Sequence, residues 1–303
     1  MKMQNYELLT INHRKIEVLR KGNSGPPIII LAGMGCSFDE WYEVTDTIST
    51  YSKVILFHRP GLGKSEIGNE PRTTTAVVEE LKKMLDQIVL NESVILIGHS
   101  YGGLCVQHFA KVYPEKVSGV ILVDSTSVDL KKLDELYLPV LDEEGSDAHW
   151  LEKCLEYSKM TSNELKREIQ PSLTKQQRRL PFYIQNRLLE FQVNPSMYQA
   201  MYSEITNWKD DAELIKNLGE FPDLPLIVIK RDKEYNILLS VQEGYPEDEL
   251  RLLEETWGKL IHAQANLSER SELILANNAT HAIYLERPDI INLALQKLLN
   301  QRQ

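Results

Sequence analysis

Cysteine is scarce in this chain. Of 303 residues only Cys36, Cys105 and Cys154 are of that type. Their number is odd, they are scattered, and none stands in a Cys-x-x-Cys pair, which argues against a disulfide framework and for a reducing compartment, the cytoplasm. No histidine or cysteine set has zinc-ligand spacing, so no metal is expected. Positive charge is also short: 34 Lys and Arg stand against 44 Asp and Glu, a net charge of −10. That balance speaks against nucleic acid or an anionic membrane as a main partner and leaves a small molecule. Long apolar runs are missing as well. None approaches the roughly 20 residues of a membrane span, and residues 1–22 hold no apolar core behind a basic start, so no signal peptide is expected. There is no internal repeat and no low-complexity segment. The remainder, 42% hydrophobic and 26% charged, is an ordinary globular composition, enough for two average domains or one large α/β domain with an insertion.

What is present has a rhythm. Residues 6–11 and 15–20 alternate about Asn12-His13, as a hairpin does. Short apolar runs at 28–31, 53–57, 94–97 and 117–123 then alternate with helical patterns at 38–49, 73–89 and 104–113. Alternating strands and helices imply a largely parallel sheet with right-handed crossovers. From 127 to 221 no strand run appears, amphipathic helical patterns succeed one another, and Pro139, Pro171, Pro181 and Pro195 interrupt them. This stretch predicts an all-helical insertion within a core of 1–126 and 222–303. Strands resume at 226–230 and 272–276, with helices at 247–266 and 289–299.

One junction carries chemistry. The run 94–97 leads into Gly98-His99-Ser100-Tyr101-Gly102, and a helix follows. A buried strand that turns at once into a helix holds the serine at the apex of a strained corner, flanked by glycines because a Cβ there would collide. A serine hydroxyl is a poor nucleophile without a base. Of seven histidines, His281 follows the last strand, at the sheet edge where Ser100 also emerges, and is the expected base. His99 and His108 are expected to pack in the core, His58 to face solvent or make a structural hydrogen bond rather than border the pocket, and His13, His149 and His262 to lie on the surface. An oxyanion needs donors aimed at it. Those expected are the N–H groups of Tyr101 and of Met34, in the Gly33-Met34-Gly35 loop after the 28–31 strand. The orienting acid has three candidates, ranked by burial: Asp124 at the end of the apolar 117–123 run, then Glu234, then Asp232, both within a charged stretch.

Taken together, Gly98-His99-Ser100-Tyr101-Gly102-Gly103, Arg59-Pro60-Gly61-Leu62-Gly63-x-Ser65 and His281-x3-Leu285-Glu286-Arg287-Pro288 resemble the α/β-hydrolase superfamily. The resemblance implies a mostly parallel eight-stranded sheet flanked by helices, a Ser–acid–His triad, no cofactor, and a helical cap at the insertion. Three departures are visible. Ala32-Gly33 stands where the family often has His-Gly, His58-Arg59 where it has Asp-Arg, and Arg231 replaces the glycine of a common Gly-x-x-Asp. The acid therefore stays open, since some members take it from the end of the sixth strand, here Asp124. Gly61-Leu62-Gly63-Lys64-Ser65 is no phosphate loop, because His58 occupies the position of its first glycine. Aromatic and Met residues between 182 and 208 predict a cap with a core of its own and some apolar lining for the site. Asp142-Glu143-Glu144 and the run 176–179 are expected to be solvated surface. The expected activity is hydrolysis of small or medium carboxylic esters by a monomer or homodimer. Lactones, amides (as in iminopeptidases), C–C bonds, or a ligand-sensing role with little turnover are the alternatives. An aspartate nucleophile, as in haloalkane dehalogenases or epoxide hydrolases, is excluded by the serine.

Overall fold

The apolar runs become strands of a single sheet. They are β1 (Asn5–Ile11), β2 (Arg14–Lys21), β3 (Pro27–Leu31), β4 (Lys53–Phe57), β5 (Val94–His99), β6 (Val117–Val123), β7 (Leu226–Arg231) and β8 (Ser271–Ala276). The computed structural model describes residues 5–88 and 92–301; residues 1–4 of the leader reading and Val89 of the 73–89 helix lie outside them. The strand order is β1-β2-β4-β3-β5-β6-β7-β8. β2 pairs antiparallel with β1 and β4, and every neighbouring pair from β4 to β8 is parallel. Asn12 and His13 both take positive φ, 50° and 64°, the two-residue turn whose twist matches a hairpin.

The helices are α1 (Tyr42–Ile48), α2 (Thr74–Ile88), α3 (Tyr101–Val112), α4 (Leu141–Gly145), α5 (Asp147–Tyr157), α6 (Ser162–Ile169), α7 (Phe182–Gln192), α8 (Pro195–Asn217), α9 (Lys233–Gln242), α10 (Glu247–Gln264), α11 (Ile283–Glu286) and α12 (Pro288–Asn300). Successive residues of a strand point to opposite faces, so the central strands supply two cores. Ile95, Ile97, Ile121, Val123, Ile227 and Ile229 pack with α1, α11 and α12. Leu96, Leu122 and Val228 pack with α2, α3 and α10. Both faces are covered, which is why these strands read as unbroken apolar runs rather than alternating ones.

The β6–β7 crossover carries α4 to α8, with no strand among its described residues. This is the helical insertion, and it has a small core in which Cys154, Leu165, Phe191, Met197, Tyr198 and Ile205 meet Leu62 of the sheet domain. Several details differ from the sequence reading. The 38–49 helix opens with a 3-10 turn, Phe38–Trp41. Helix α9 starts within the 230–234 charge run, and no helix was expected there: Asp232 caps it by accepting from Tyr235 N–H, although only Ile237 is buried along it. His149 is half-buried rather than on the surface, and Gln177 is buried beneath the cap, donating to Glu40 at 2.7 Å. Phe182 is exposed. No helix among the described residues is long and apolar enough to cross a membrane.

Candidate active site

Ser100 sits where β5 ends and α3 begins, with φ 51° and ψ −126°. Tight packing imposes that conformation. A Cβ on Gly98 would lie 2.6 Å from Gly103 Cα, and one on Gly102 would lie 2.2 Å from Leu31 O, so neither flank of the corner can relax. Non-glycine residues at positive φ are strained, and such strain concentrates at functional sites. The Ser100 carbonyl accepts from the N–H groups of Gly103 (2.9 Å) and Thr126 (3.1 Å), which fixes the residue from two sides. Its hydroxyl does not cap α3 and is left for chemistry. The side chain is half-buried.

His281 follows β8 and reaches the end of β6. Its Nδ1 lies 2.6 Å from Asp124 Oδ2. A carboxylate only accepts, so Nδ1 carries the proton, and in the neutral ring the lone pair lies on Nε2. Asp124 is fully buried at φ 40° and takes three further donors: Trp257 Nε1 to Oδ1 (3.0 Å), Arg231 N–H to Oδ1 (3.3 Å) and Arg231 Nη1 to Oδ2 (2.8 Å). Burial alone would raise this carboxyl, but the Arg231 charge and the bonds from His281 and Trp257 outweigh it and hold it well below the usual carboxylate range. The other two acids face elsewhere. Glu234 is exposed and pairs with Arg251 and Lys233. Asp232 accepts from Tyr235 N–H (3.2 Å) and Asn278 N–H (3.0 Å).

His99 joins the corner to the His281 loop. Its Nε2–H donates to the His281 carbonyl at 2.9 Å, and the two rings lie 4.4 Å apart. Burial, and then the neighbouring His281, push His99 down to about 3, so it stays neutral. The Gly33-Met34-Gly35 loop passes over the serine: a Cβ on Gly33 would lie 3.2 Å from Ser100 Cβ. Buried Arg59 grips this loop, donating through Nη1 to Ala32 O (2.7 Å) and through Nη2 to Gly33 O (3.1 Å). In a trans peptide the carbonyl and the next N–H point opposite ways, so drawing Gly33 O toward Arg59 turns Met34 N–H away from it. Tyr101 N–H opens α3, at the positive end of the helix dipole. Glu204, on the cap helix α8, completes Arg59 with bonds of 2.7 and 3.1 Å.

The remaining histidines are structural or solvated. His58 Nε2 accepts from Phe38 N–H (3.1 Å), and its Nδ1–H donates to Glu17 (2.8 Å). Buried His108 contacts Thr74 Oγ1, while His13 and His262 are exposed. Sequence reasoning missed Trp257 and Glu204 and treated Arg231 only as a departure. The available signal was a cation ending an apolar strand, since a buried guanidinium requires carboxylates. A cavity of about 730 Å³ opens between the cap and α10, with Leu130, Leu138, Trp150, Trp208 and Tyr245 among its walls. Neither Ser100 nor His281 lines it, although Leu130 and Trp208 belong to the apolar cluster that includes Met34 and Trp257.

Residues 26–148 match a family model described as alpha/beta hydrolase fold. Over 276 residues the chain is 23% identical to the protein YqjL of Bacillus subtilis (strain 168), covering 91% of this chain and 84% of that one. Among solved structures it is similar to a thermophilic esterase from Thermogutta terrifontis, with TM-score 0.66 and 17% identity, covering 98% of this chain and 99% of that one. The epoxide hydrolase CorEH aligns with TM-score 0.67 and 16% identity, covering 99% and 100%. Likeness at such identities speaks for the fold alone.

Proposed function

We propose that this chain, whose residues 26–148 match an alpha/beta hydrolase fold model, is a cofactor-independent serine hydrolase of small to medium carboxylic esters. The observation that carries this reading is the 2.6 Å bond between His281 Nδ1–H and Asp124, at the sheet edge where Ser100 stands strained and uncapped. With Nδ1 engaged, His281 Nε2 takes the proton of Ser100 as Oγ attacks the ester carbonyl carbon. The N–H groups of Met34 and Tyr101 receive the oxyanion. Nε2 then passes the proton to the leaving alcohol, and the acyl group remains on Oγ. Water, deprotonated by the same nitrogen, attacks the acyl carbon, releases the acid and restores the serine. Asp124 remains ionised throughout and steadies the imidazolium. The epoxide-opening route through an aspartate ester lacks its carboxylate at the apex. The three free thiols are in keeping with a cytoplasmic protein.

Treatment with a fluorophosphonate probe followed by peptide mass spectrometry tests the reading. The label is expected on Ser100 alone and is absent from Ser100→Ala, while the parent turns over a panel of p-nitrophenyl esters many times. An unlabelled Ser100 would overturn it. A single stoichiometric burst without turnover would favour a ligand-sensing protein on the same fold.

A further inference from the structure

We propose that Arg231 is a positioning residue of this site, and that its opposition with Glu254 sets the acid limit of the site's working pH. The proposal rests on reading Ser100, His281 and Asp124 as the catalytic set.

The fold brings these groups together without any loop rearrangement. β6 and β7 are neighbours in register, Val123 beside Ile229. Asp124, one residue past β6, and Arg231, the last residue of β7, therefore emerge side by side. Arg231 then bonds in two directions. Its Nη1 and backbone N–H hold Asp124. Its Nε donates to both oxygens of Glu254 on α10 at 3.1 and 3.0 Å, and Nη2 bonds the same carboxylate. The three side chains are 0%, 10% and 2% exposed for Asp124, Arg231 and Glu254. Trp257, one turn beyond Glu254, stacks on the guanidinium (4.8 Å), sets its ring edge-on to His281 (5.8 Å) and donates to Asp124. Arg231 and Trp257 together therefore give the orienting acid three of its four hydrogen bonds, and His281 gives the fourth.

The chemical consequence lies in Asp124 Oδ2, which His281 and Arg231 share. The electron density that would steady an imidazolium is partly committed to a permanent cation, so Arg231 disfavours the protonated ring. Glu254 offsets that charge from behind, so the balance of the two fixes how far the effect goes. Other titratable groups stand on the elements around His281. His99 from the β5 end is kept neutral by burial, and Tyr284 of α11 packs against His99 at 4.8 Å with its phenol pushed well above its usual range by burial. Glu286 of α11 is engaged by Thr280, and Asp232 by Asn278.

The test is the pH dependence of fluorophosphonate labelling at Ser100 and of kcat/KM for a p-nitrophenyl ester. Removing the cation in Arg231→Gln should move the acid limb up by about one pH unit, and removing the anion in Glu254→Gln should move it down by a similar amount. The double variant, which deletes the Arg231–Glu254 pair and is checked for folding by its melting curve, should return close to the parent limb with lowered kcat. Arg231→Lys keeps the charge but not the fork, so it should hold the limb and lower kcat with little change in KM. Damage that is merely structural cannot move the limb in opposite directions. Single variants that keep the parent profile, or that both move the same way, overturn the proposal. The pH at which the His281 ring signals shift in NMR reads the same opposition without any reaction. Opposite movements there uphold the role of Arg231 even if the parent is never labelled, in which case it is the hydrolase reading that fails.

Discussion

Which carboxylate meets His281 decides the chemistry of the site. Asp124→Asn keeps the shape but offers His281 an amide, which disturbs the tautomer that leaves Nε2 free. Ester turnover in the variant should fall by roughly 10³–10⁴-fold. Glu234→Gln, on an exposed side chain paired with Arg251 and Lys233, should leave kcat unchanged. Steady-state assays of the two variants side by side check this, and the reverse outcome would transfer the role to Glu234. The sequence favoured Asp124 for a sound reason: a carboxylate leaving a fully apolar strand has to find partners. It could not name those partners. Trp257 lies 133 positions from Asp124 and Arg231 lies 107 positions away, and no local pattern links residues so far apart. His149 and Gln177 were misread for the same cause, since only the tertiary packing of the cap covers them.

The strand–helix corner is the element on which the site stands, and its glycines are legible in sequence because their constraint is local. Gly102→Ala would drive a methyl group to 2.2 Å from the Leu31 carbonyl, a backbone atom that cannot rotate aside. A loss of at least about 1–3 kcal/mol is expected, seen as a lowered Tm in thermal melts. A variant with the parent Tm would show that the corner yields more than its geometry implies. The strands were equally readable. A run buried on both faces must be apolar throughout, and β4 spans the same residues that its run predicted. Helix α9 was missed although Tyr235, Ile237, Leu238, Leu239 and Val241 fall at helical spacings; it presents little to the core, since among its ten residues only Ile237 is buried. The capping carboxylate of Asp232 was a further local sign.

Across the whole molecule, cap and sheet are joined by charge in both directions. From the cap, Arg187 reaches down to Glu17 (2.8 Å) and Asp39 (2.9 Å); from the sheet domain, Arg59 reaches up to Glu204. Backbone N–H groups of Arg72 and Thr74 add bonds to Ser203 and Asp211 on α8. Burial would raise the Glu17 carboxyl, yet the bond from His58 and the Arg187 charge hold it at about 2. Breaking one side of such a pair leaves a buried charge uncompensated, so Glu204→Gln should cost about 3–5 kcal/mol in urea unfolding. Because Arg59 also anchors the Ala32 and Gly33 carbonyls, the same variant should lose kcat; intact stability and turnover would show that the cap is held by other means. Ion pairs buried or largely buried on both flanks carry a further consequence for traffic. A hinged lid must part from its seat on every cycle, and here parting would strand several charges at once. On the ester-hydrolase reading proposed above, substrate is therefore expected to enter and leave without the cap parting from its seat.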